Sequence, residues 1–84
     1  MTDHHDYQDA IEAVKHAEVA LYEAQTNANP EERQDAIVQL KIARDKVLEA
    51  QKNIGPDDDE HQHRLGQAME QLDHLEAAEQ ALNN

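Results

Sequence analysis

The chain reads as all-α, an antiparallel up-down-up three-helix bundle. Three observations predict it. Aliphatic residues recur at heptad spacing, the pattern is repeated internally, and two sets of helix stop and start signals interrupt it. Helices are expected near residues 4–26, 30–53 and 58–82, within one domain over 1–84.

The repeat comes first. Tyr7 to Gln25 and Arg33 to Gln51 align at an offset of 26 residues with nine of nineteen positions identical. A weaker echo runs from Ala68 to Ala77, so one helical unit is used three times. In the first unit Tyr7, Val14 and Leu21 fall at heptad position a, and Ala10, Ala17 and Ala24 at d. The second places Leu40, Val47 and Ile54 at a, with Ala36, Ala43 and Ala50 at d. The third has Leu65 and Leu72 at a, and Ala68, Leu75 and Leu82 at d. Ile11, Ile37 and Met69 at e, with Ala13, Ala20 and Ala78 at g, widen the stripe enough for each helix to touch two neighbours. On a straight helix of about 100° per residue, Tyr22 and Leu48 fall near Ile11 and Ile37 and are expected to broaden the core.

The breaks follow from local chemistry. Asn29, Pro30 and Glu32 supply an N-cap, a proline at N1 and an acid at N3. Gly55 is expected to end the second helix in a left-handed conformation, with Pro56 preventing continuation. Asp57 is expected to cap the third helix, with Glu60 at N3. Short connections make sequential helices antiparallel. A second arrangement pairs helices 1 and 2 as a hairpin in a dimeric four-helix bundle, although the leucines of helix 3 favour its inclusion in the core.

Charge is distributed unevenly. Residues 1–28 carry six acids and one base, 29–54 five of each, and 55–84 eight acids and one base, for a net charge of −12. Arg33, Lys41, Arg44, Lys46 and Lys52 of the neutral helix are therefore expected to face acids on helices 1 and 3, each exposed pair contributing about 0–1 kcal/mol. The acidity disfavours nucleic acid and anionic membranes, so neither is an expected partner. No apolar run approaches the roughly 18 residues of a membrane span, and none at the N-terminus resembles a signal peptide, so a cytoplasmic location is the expectation. Without cysteine there are no disulfides, thiolate nucleophiles or Cys-ligated zinc.

Catalytic chemistry is equally poorly served. Thr2 and Thr26 are the only aliphatic hydroxyls, no serine is present, and Gly55 and Gly66 form no phosphate loop. No enzyme activity, cofactor or small-molecule substrate is expected. Six histidines raise the question of a metal, for which His4, His5, His61 and His63 are weak candidates at one end of the bundle. Residues two apart on a helix diverge by about 200°, so His61 and His63 cannot chelate one ion as a pair. His61 is expected to close the last core layer beside Ile54, and His63 to point to solvent. His16 and His74 each follow a glutamate (Glu12, Glu70) by four residues, the spacing of a surface ion pair.

Val38 and Ile42 lie off the core stripe on the outer side of helix 2, and Val19 is similarly outward on helix 1. They are the candidate protein-interaction residues. Gly66 is outward too and weakens its helix. The expected function is a non-catalytic interaction, accessory or regulatory module that binds a protein partner or a second copy as a homodimer. A metal- or pH-responsive protein built on the histidines, and a structural or storage protein with no specific site, are the alternatives.

Overall fold

The computed structural model describes residues 5–27 and 29–82. They form α1 (His5–Thr26), α2 (Pro30–Asn53) and α3 (Asp59–Leu82), with no strand among the described residues. The helices pack into a bundle of 45 × 18 × 15 Å. Tyr7 meets His61 and Glu18 meets Gln71, so α1 and α3 run in the same direction. Asn53 donates to Asp6 and Arg44 to Glu76, so α2 runs against both. The order is up-down-up.

Equivalent positions in the repeat are buried alike. Ala10 matches Ala36, Val14 matches Leu40, Ala17 matches Ala43, Leu21 matches Val47 and Ala24 matches Ala50, and all ten are buried. The antiparallel register set by the Asn53–Asp6 hydrogen bond, 2.7 Å long, places Ala10 opposite Ala50, Ala17 opposite Ala43 and Ala24 opposite Ala36. Two antiparallel copies of one unit thus make a hairpin with an approximate two-fold axis near the Ala17–Ala43 layer. Methyl-sized side chains let helix axes approach toward the short end of the usual ~8–10 Å range. The backbones of α1 and α2 accordingly approach each other more closely than either approaches α3. Helix α3 supplies the bulk that alanine lacks: Leu65 and Leu72 are fully buried, with Val47 opposite them in the same cluster.

Helix ends match expectation at Asn29, whose extended backbone lets Oδ1 accept from the Glu31 N–H at 2.9 Å, with Pro30 opening α2. Two other ends differ. Gly55 is not left-handed, since no residue among those described has positive φ. Ile54 instead turns extended (φ −86°, ψ 133°), buries its side chain in the core, and donates its N–H to the Ala50 carbonyl. Pro56 biases the residue before it toward extended backbone, which explains the absence of a left-handed cap. The side-chain amide of Gln62 donates to the carbonyls of Gln51 (3.3 Å) and Ile54 (3.0 Å), supplying the partners that such a cap would have provided. The cap of α3 is Asp58 and not Asp57, because a turn closed by the Asp58 N–H on the Gly55 carbonyl consumes Asp57. Asp58 Oδ1 accepts from the His61 N–H at 3.3 Å, so His61 takes the N3 place expected for Glu60.

Tyr22 and Leu48 do not broaden the core. They are repeat equivalents, and both stand exposed, at 67% and 44%. In a bundle the inward direction follows the 3.5-residue heptad frame and not a straight 3.6-residue helix. Eleven residues beyond Ile11 and Ile37, that difference carries Tyr22 and Leu48 out of the stripe, from position e to position b.

A candidate interaction surface on the outer face of α2

Helix α2 has two stripes. The inner one is the alanine and branched-aliphatic seam described above. The outer one carries Val38, Ile42 and Leu48, exposed at 42%, 40% and 44%, among Lys41, Asp45 and Lys52. Val19 of α1 is exposed at 55%. The three sequence candidates therefore all face solvent, and the register of the hairpin sets Val19 level with Lys41, between Val38 and Ile42 along α2. Ile42 borders a shallow open groove between α1 and α2 with Ala13, His16, Gln39 and Lys46. Packing inside the bundle does not require these side chains, for the α1 equivalents of Val38 and Ile42 are the polar Glu12 and His16. Leu48 belongs to the same stripe. Its position b in the heptad was the available signal, which the straight-helix projection obscured.

On the flank of α2 facing α3, one guanidinium bridges the two helices. Arg44 donates from Nε to Glu76 at 2.7 Å, from Nη2 to Asp73 at 2.8 Å and from Nη1 to the Met69 sulfur at 3.4 Å. Hydrogen bonds to Glu76 and then Asp73 raise the guanidinium pKa above its ordinary value, outweighing the opposing effect of burial. The expected pairing of basic α2 with an acidic neighbour is thus realised by Arg44. Lys41, Lys46 and Lys52 make no ion pair among the described residues.

The histidines whose side chains are described do not gather at one site. His61 stacks edge-on against Tyr7, ring centroids 4.4 Å apart at 81°, while its Nδ1 lies 2.7 Å from Asp58 Oδ2. It sits half-buried at the end of the bundle whose core holds Ile54, close to its expected place. His63 is exposed. His4 and the side chain of His5 lie outside the described residues, and among those described no three His, Asp or Glu side chains gather around a common point that could hold a metal. The expected Glu12–His16 and Glu70–His74 ion pairs do not form among the described residues; all four side chains extend into solvent. Solvated imidazole and carboxylate gain little from an i,i+4 contact, which accounts for the difference. The Thr26 hydroxyl donates to the Glu23 carbonyl at 3.1 Å, a helix-end contact; Thr2 lies outside the described residues. No helix among the described residues is long and apolar enough to cross a membrane. Comparison of the chain with protein-family models, curated proteins and solved structures gives no match.

Proposed function

We propose that the chain is a non-catalytic helical interaction module whose working surface is the outer face of α2. The observation that carries this reading is the exposure of Val38 and Ile42, one turn apart on a face that the bundle does not need to be apolar. Exposing contiguous aliphatic surface has a cost in solubility that a contact surface explains. The remainder of the molecule agrees with this division of labour. The repeat and the leucines of α3 build the interior, the acids of α1 and α3 keep the chain dispersed, and α2 offers the neutral surface on which another protein can approach.

The test is a V38D/I42D double variant, both changes being at solvent-facing positions. Circular dichroism is expected to stay helical while self-association or capture of a protein partner is lost. A variant that keeps the wild-type solution mass and the wild-type set of captured proteins would remove the proposal.

A further inference from the structure

The outer stripe of α2 has a heptad of its own, and its order of charges selects its occupant. Val38, Asp45 and Lys52 follow one another at spacing seven, and Gln34, Lys41 and Leu48 form the companion row four residues behind. All six are exposed, and neither Lys41 nor Asp45 is engaged in an ion pair among the described residues. Two antiparallel helices meet with one row packed against the other row of the partner. When the stripe is laid antiparallel on itself about a two-fold axis at Ala43, Val38 meets Leu48 of the second copy, Lys41 meets Asp45, and Gln34 meets Lys52. Every layer is then apolar on apolar or polar on polar, and the opposite charges occur twice by symmetry.

Other registers lose this match. A shift of one heptad in one direction sets Asp45 against Leu48 and Lys41 against Lys52; the opposite shift sets Val38 against Lys41. A parallel pairing aligns Lys41 with Lys41 and Asp45 with Asp45. Electrostatics at long range point the same way. Two chains of net charge −12 repel, and α2, with five acids and five bases over 29–54, is the element through which they can approach with least opposition.

We infer that the outer face of α2 binds a second copy of this chain, through an antiparallel α2–α2 contact in the Val38–Leu48, Lys41–Asp45 register. This rests on the reading of α2 as an interaction surface and names its occupant. With two apolar layers and Ile42 at their flank, the stripe is narrow, so the dimer is weak and depends on concentration.

Sedimentation equilibrium from low concentration to about 1 mM tests it, with circular dichroism confirming the fold of each variant. The wild-type mass is expected to rise from monomer toward dimer. K41D and D45K each place like charges opposite one another twice per dimer, and each should weaken association at least about tenfold. The K41D/D45K double swap recreates the complementary pairs and should restore it. D45K is the sharper arm, because it changes the net charge from −12 to −10 (one acid lost, one base gained), so relief of general repulsion would strengthen the dimer. Wild type that stays monomeric throughout overturns the second copy as occupant. A dimer indifferent to both single swaps overturns the register; if V38D/I42D still abolishes that dimer, the surface assigned under the proposed function stands without this geometry.

Discussion

Arg44 Nε lies 2.7 Å from Glu76 Oε1, joining the middle of α2 to the last third of α3. With Asp73 on a second nitrogen of the same guanidinium, it ties α2 to α3 through two carboxylates at once. Both side chains are about one-third exposed, so the bridge is screened and its contribution is modest. Arg44→Met keeps the aliphatic stem and removes the charge. It should cost about 1 kcal/mol in urea unfolding, and a cycle with Glu76→Gln should give a coupling of roughly 0.5–1 kcal/mol. Zero coupling would mean that the bridge does not order α3 against α2.

Gly66 occupies the interior of α3, and a Cβ added there meets nothing within 4 Å. No close approach within the chain and no positive φ explains a glycine at this position. Gly66→Ala should therefore stabilise the fold by about 1 kcal/mol and raise Tm by roughly 4–8 °C. Thermal melting reads this directly; an unchanged or lowered Tm would show that α3 is not regular helix at that point.

Ala17 and Ala43 are fully buried at the centre of the hairpin. Larger side chains there must force α1 and α2 apart. Ala17→Leu should destabilise by about 1–3 kcal/mol despite its greater hydrophobicity. Tyr22→Ala and Leu48→Ala, on the exposed side, should stay within about 0.5 kcal/mol of wild type. Denaturant midpoints compare the three, and a stabilising Ala17→Leu would contradict close packing at this layer.

The interior was legible because the heptad and the repeat state the same thing twice. Ala10 and Ala36, or Leu21 and Val47, could be assigned inward from pattern alone, and the helix boundaries lie within a residue of those expected. Ends were less legible where long-range groups intervene. No local rule anticipates that Gln62, across the turn, bonds the carbonyls of Gln51 and Ile54, or that Asp58 takes the cap that Asp57 was expected to form. Tyr22 and Leu48 were misplaced by a small angular error that grows along the helix. That helix 2 would supply a base to an acidic neighbour could be read from net charge, but the choice of Arg44, with Asp73 and Glu76 of α3 as its partners, depends on interhelix register. The candidate surface was visible as apolar residues off the stripe. The pairing register inferred for a second copy was not, because a projection of one helix says nothing about which outward rows can meet a partner until the inward rows are fixed.

The core and the outer surface of α2 both depend on which side of the helix faces the other two. Nuclear Overhauser spectroscopy of methyl-labelled protein, at a concentration where the chain is monomeric, measures this most directly. The Val47 methyls should show contacts to residues of α1 and α3, while the Val38 methyls show none beyond α2. Contacts from Val38 to α1 or α3, with Val47 silent, would turn the helix over and remove both the core and the surface described for it.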